Sequence, residues 1–157
     1  MNIIPLIVGG VRKGAAPPTY KQHLQRDLQF GIPKEEELLP LMKETFDDTI
    51  KRTTNPNFVF DYEGVNCYAE LKSRRIMHNQ YEDIMIGKNK LDFALKCGKD
   101  VFFCYNLIDG KYYYQFNKED ILNKNITFRE GGRQDRGKDE RKTCGFIKTK
   151  LLKKFDI

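Results

Sequence analysis

No stretch of this 157-residue chain approaches the roughly 20 consecutive apolar residues that a membrane-spanning helix needs. The opening MNIIPLIV is short, has no basic leader and is not followed by a small-residue cleavage site, which argues against a secretory signal. The four cysteines, Cys67, Cys97, Cys104 and Cys144, form no C-x-x-C pair, so neither a zinc site nor a disulfide framework is expected. Reduced thiols in an intracellular protein are the expectation. The chain also lacks a G-x-x-x-x-G-K phosphate cradle and any internal repeat, which excludes a P-loop and a solenoid.

What is present fits one domain able to bury a core. Lys and Arg number 28 against 22 Asp and Glu, and the surplus is local. Between Arg129 and Lys154 there are ten basic and four acidic residues, so the rest of the chain is balanced at 18 against 18. A basic surface confined to one segment points to a phosphate-bearing partner, or else to a solvated basic tail. Within it, GGRQDRGKDERKT over Gly131 to Thr143 is a polar loop without an apolar anchor, and Arg133, Arg136, Lys138, Arg141 and Lys142 are its candidate nucleic-acid contacts. The division expected is an N-terminal arm over 1–32 and a single domain over 33–157, with the basic loop at 129–143.

Periodicity sketches the domain. Pro33 to Thr49 is expected to be a helix, with proline at its start, Glu35, Glu36 and Glu37 in the first turn, and Leu38, Leu39, Met42 and Phe46 as the buried stripe. Tyr81 to Cys97 reads mostly as a second helix, stopped by Gly98. Val101 to Ile108 is apolar on both faces and is expected to be a central strand with helices on each side. Asp109-Gly110 turns it into a partner strand, Lys111 to Phe116, whose three tyrosines either stack on bases or pack. Packing is favoured for Tyr112, Tyr113 and Tyr114. A short helix over Asn117 to Leu122, an edge strand over Ile126 to Phe128 and a terminal helix over Lys148 to Phe155 complete an α/β layout, a mixed β-sheet flanked by helices.

The stretch FVFDYEGVNCYAELKSRR, Phe58 to Arg75, carries the chemistry. It reads as a hairpin of Asn57 to Tyr62 and Val65 to Lys72 around Glu63-Gly64. Strand alternation places Val59 and Asp61 on one face, with Phe58, Phe60 and Tyr62 on the other. In the second run Tyr68, Glu70 and Lys72 lie opposite Cys67, Ala69 and Leu71. Asp61, Glu70 and Lys72 then converge, and two carboxylates with an ammonium make a candidate site for Mg²⁺ or Mn²⁺.

An Asp, a short hairpin and Glu-x-Lys resemble the core of the PD-(D/E)XK nuclease superfamily, the restriction-endonuclease-like group that includes small phage-type and resolvase-type endonucleases. The resemblance covers roughly Pro33 to the C terminus. It implies a metal-dependent nuclease that cuts phosphodiester bonds, DNA before RNA, with Asp61, Glu70 and Lys72 catalytic and the metal held by Asp61, Glu70 and the Leu71 carbonyl. It also implies an extra acid on the preceding helix, for which Glu35 is the candidate, and a basic side chain from the following helix, Lys90. Arg74 and Arg75 stand where a phosphate backbone would be gripped. Small nucleases resembling this one often pair so that two sites address two strands, which makes a homodimer compatible with the reading. One departure stands out: the first motif is expected as Pro-Asp, and this chain has Pro56-Asn57 there. Asp61 is preferred because an anionic oxygen binds the metal better than an amide and because Asp61 lies on the same strand face as Asn57. Two alternatives stay open: a nucleic-acid-binding protein with a degenerate site, and a plain cross-strand salt bridge on a solvated face.

Overall fold

The structure is a computed structural model, and it describes residues 36–55, 57–131 and 142–156. The expected arm over 1–32 lies outside these residues. Helix α1, described over 36–45, is followed by β1 (Lys51–Arg52), β2 (Tyr62–Glu63), β3 (Cys67–Ser73) and β4 (Asp83–Ile86). Helix α2 (Lys88–Ala94), β5 (Asp100–Leu107), β6 (Gly110–Gln115), helix α3 (Glu119–Leu122), β7 (Ile126–Gly131) and β8 (Lys142–Lys148) come next. A 3-10 turn (Thr149–Leu151) and β9 (Lys153–Lys154) close the described chain. No described helix is long and apolar enough to cross a membrane.

The strands form a six-stranded mixed sheet, ordered β1-β2-β3-β5-β6-β9, and a three-stranded sheet, β4-β8-β7. Among the described strands only β3 and β5 run parallel, from Cys67 beside Asp100 to Ser73 beside Asn106. Two adjacent parallel strands require a connection that crosses one face of the sheet. Here β4 and α2 make that crossing, and this lays the second sheet against the first.

Every residue of β5 after Asp100 is buried, the mark of a strand covered on both faces. On one face Leu38 and Met42 of α1 pack with Ile50, Tyr62, Cys67, Ala69, Leu71, Phe102, Cys104 and Phe155. On the other, Ile84, Ile86, Leu91, Ala94, Ile126 and Ile147 pack on Val101, Phe103, Tyr105 and Leu107. Burying each of these larger side chains contributes about 1.5–3 kcal/mol. The second face is therefore covered by a small sheet and α2, where helices alone were expected.

The α/β layout with a mixed sheet stands, and several local expectations change. The segment read as one helix from Tyr81 to Cys97 is β4 followed by α2. Ile84 and Ile86 are buried in alternation, and this period of two binds β4 to β8, with Ile84 opposite Ile147. The described part of α1 stops at 45, before Thr49. Asp47 ends it by accepting hydrogen bonds from the Thr49 amide and hydroxyl and from the Asn66 amide, at 2.9, 2.7 and 3.1 Å. The expected terminal helix is instead the end of β8, a 3-10 turn and β9, because Lys153 and Lys154 pair with Tyr113 and Tyr112. Seven or eight residues form a helix only with strong support, and the free edge of β6 offers a better set of partners. Phe155 still docks, 4.8 Å from the Tyr113 ring and 5.5 Å from Phe46. At the β5–β6 turn Gly110 has φ of 147°, a conformation that disfavours a side chain.

Candidate active site

Alternation along β3 turns Cys67, Ala69 and Leu71 toward α1 and leaves Tyr68, Glu70 and Lys72 on the other face. The antiparallel register of β2 and β3 pairs Tyr62 with Ala69, so the next residue along, Asp61, stands across from Glu70. Asp61 Oδ2 accepts a hydrogen bond from the Leu71 amide at 3.1 Å, which anchors the carboxylate to the strand that carries Glu70. The strand expected over Asn57 to Tyr62 is only Tyr62–Glu63, and the residues before it form turns. Face-sharing between Asn57 and Asp61 therefore does not hold, and Phe60 and Tyr62 enter opposite cores. Asn57 is exposed, its amide bonded to the Asn55 side chain at 2.9 Å.

Glu70 is 4% exposed, and its Oε1 is buried without a hydrogen-bond partner. Burial, followed by the nearby charge of Asp61 and direct contact with its carboxyl group, pushes Glu70 up to a pKa of about 7. Two carboxylates that meet are two acceptors without a donor. They need a shared proton or a shared cation. Two ammonium groups reach the opposite oxygen: Lys90 Nζ is 3.2 Å and Lys72 Nζ 3.8 Å from Glu70 Oε2. The contact is enclosed, not a salt bridge on a solvated face, so its charges are costly to leave unpaired. Lys72 is half-buried, and burial lowers its pKa, helped by the like charges of Arg74 and Lys90 against the opposing pull of Glu70.

Lys90 arrives on α2, where Gly87 starts the helix, and it also donates to the Val59 carbonyl. Glu70, Lys72 and Lys90 line a small cavity whose other walls are Met85 and Ile86 from the end of β4, Gly87 after it, and Phe103, Cys104 and Tyr105 from β5. Tyr105 ties the two layers by donating to the Met85 carbonyl at 3.1 Å. Among the described residues no three His, Cys, Asp or Glu side chains gather to hold a metal. The donors on offer are the two carboxylates, hard oxygen ligands suited to a divalent ion that keeps several waters. The partnerless oxygen of Glu70 beside Asp61 fits such an ion.

Other predicted positions are dispersed. Arg74 follows β3, its amide bonded to the Asn106 carbonyl at 3.0 Å, and Arg75 is exposed beyond it. Lys142 is exposed at the start of β8. Glu35, Arg133, Arg136, Lys138 and Arg141 lie outside the described residues. Tyr112 and Tyr114 are buried and Tyr113 packs against the α1 face, so the tyrosines serve the core and base stacking is removed. The Val59 carbonyl had no signal in the sequence, since a backbone oxygen becomes a partner only through the turn that aims it.

Residues 45–154 match the family described as phage putative PDDEXK endonuclease. This is most of the chain, and the chain belongs to that family, with an α/β, restriction-endonuclease-like fold. No match was found among curated proteins or among solved structures.

Proposed function

We propose that this chain is a divalent-metal-dependent endonuclease that hydrolyses phosphodiester bonds in DNA. The observation that carries the reading is the buried Glu70 Oε1, partnerless beside the Asp61 carboxyl group and flanked by two lysines. A purely structural ion pair has no use for an acid left half-satisfied, because such a group costs stability.

Asp61 and Glu70, with the Leu71 carbonyl, would hold Mg²⁺ or Mn²⁺. When bound, the ion supplies Lewis acidity to the scissile phosphate and to a water beside it. Lys72, on the same face of β3 as Glu70, orients the attacking water. It also meets the negative charge that grows on the phosphate, so it contributes most in the transition state. Partial burial lowers the pKa of Lys72, which suits a group that handles a proton at that water. Arg74, Arg75 and the basic residues between 129 and 143 contact the nucleic-acid backbone, with guanidinium groups matched to phosphate oxygens. Two copies, each with one site, would address the two strands of a duplex, and the protein acts inside the cell that holds its substrate. Residues 33–157 make the nuclease unit.

Incubation with Mn²⁺ and plasmid, linear, branched and single-stranded DNA and RNA tests the reading, with Glu70→Gln as control. Cleavage of a DNA substrate by the native chain and none by the variant is the expected result. A native chain that binds DNA and cuts nothing in the panel would make it a binding protein with a decayed site.

A further inference from the structure

The two oxygens of Glu70 are treated differently. Oε2 receives both ammonium groups, at 3.2 Å from Lys90 and 3.8 Å from Lys72, while Oε1 receives nothing. Lys90 is also the more enclosed of the two lysines, its side chain 19% exposed against 43% for Lys72. Its ammonium is fixed from a second side by the Val59 carbonyl and lies 5.9 Å from the centre of the Phe60 ring. Gly87 lets the stem pass, since a Cβ there would come within 3.3 Å of Lys90 Cγ. This ammonium is held between Glu70 of β3 and the turn before β2 that carries Val59 and Phe60. Two carboxylates facing two ammonium groups present a divalent ion with no net negative charge to draw it in.

We propose that Lys90 is the resident counter-ion of Glu70 and that a divalent ion must compete with it, so the ion binds weakly to the free protein and tightly once a phosphate group lies beside these side chains. The inference rests on the metal-site reading above. A phosphate supplies the missing negative charge and gives the Lys90 ammonium another acceptor, which relaxes its hold on Glu70. Ion and nucleic acid then raise each other's affinity by the same factor, as linkage requires. Lys90 is thus a positioning residue that keeps the acid in place until ion and substrate arrive together.

Calorimetric titration of the full chain with Mn²⁺ at mildly alkaline pH tests this, with and without a phosphorothioate DNA duplex that resists cleavage. Lys90→Met and Lys90→Gln are expected to bind Mn²⁺ at least about tenfold tighter than the native chain when DNA is absent, because one opposing charge is gone. Lys90→Arg keeps the charge and is expected to bind as weakly as the native chain. The duplex should tighten Mn²⁺ binding by the native chain more than by Lys90→Met. Thermal melts of the variants identify any that fail to fold, and either neutral variant suffices. Saturable Mn²⁺ binding by the native chain that neither neutral variant strengthens, or that the duplex leaves unchanged, overturns the inference alone. No saturable heat from any protein, with or without DNA, overturns the metal-site reading and the inference with it.

Discussion

Asp47 and Glu70 are acids on opposite sides of the main sheet, and they have been treated in opposite ways. Asp47 closes the end of α1, and its two oxygens accept three hydrogen bonds, two from Thr49 and one from the Asn66 amide. These bonds, that from the Thr49 side chain foremost, hold its carboxyl below the usual carboxylate range. Glu70 keeps one oxygen bare, and burial raises its pKa to about 7. One acid stabilises the fold by being charged. The other costs stability whenever it is charged, and such a group persists where something absent from the folded chain completes it.

The largest expected effect separates chemistry from binding at this second acid. Lys72→Ala should lower cleavage by about 10²–10⁴-fold while nucleic-acid affinity falls little, the loss expected of a group that handles a proton. Turnover rates set beside a gel-shift titration give both numbers, and unchanged turnover removes Lys72 from the mechanism.

The pH dependence of stability sharpens the contrast. Glu70 binds its proton more tightly in the folded chain than when unfolded, so its contribution is present below the unfolded value of about 4.5 and is lost as pH rises through about 7. In chelator, the native chain should therefore lose up to about 3 kcal/mol from this residue across that window. Glu70→Gln should flatten that slope, as read by urea unfolding at a series of pH values, and a slope unchanged by the substitution would mean that another group titrates there.

A smaller effect is expected where the two layers are joined. Tyr105→Phe removes the bond to the Met85 carbonyl and leaves that carbonyl unpaired, which costs about 1–2 kcal/mol. Because Met85 lies just before the turn into α2, which carries Lys90, cleavage should weaken severalfold as well. Full activity at reduced stability would show that the turn is held by its other contacts.

The smallest effect is of opposite sign in pH. Asp47→Ala should lower the unfolding midpoint at neutral pH and leave cleavage alone. Its contribution is present above the unfolded value of 3.8 and fades as pH falls below it, so the native and variant curves should converge in acid. A variant that also loses cleavage would tie the two faces of the sheet together.

Much of the site could be read along the chain because strand geometry is local. Side chains two apart share a face in any strand, so Glu70 and Lys72 emerge together from β3 whatever packs around them. The same rule misled for Asn57 to Asp61, which turns before β2 begins, and Asp61 meets Glu70 through cross-strand register. The segment Asp83 to Ala94 misled too. Leu91, Ala94 and Leu95 suit a helical stripe, but Ile84 and Ile86 before them alternate as a strand does, and pairing with the distant β8 is what holds them in one.

Composition and short-range pattern were enough to determine a basic α/β domain with a buried central strand and an acid and an amine side by side on β3. They act within a few residues, where backbone geometry permits few choices. The tertiary structure alone decided which oxygen of Glu70 is paired, that Lys90 and not only Lys72 pairs it, and how far burial raises its pKa. Those properties depend on groups 20 residues away in Lys90 and 9 in Asp61, brought together by a crossover and a strand register that no local preference encodes.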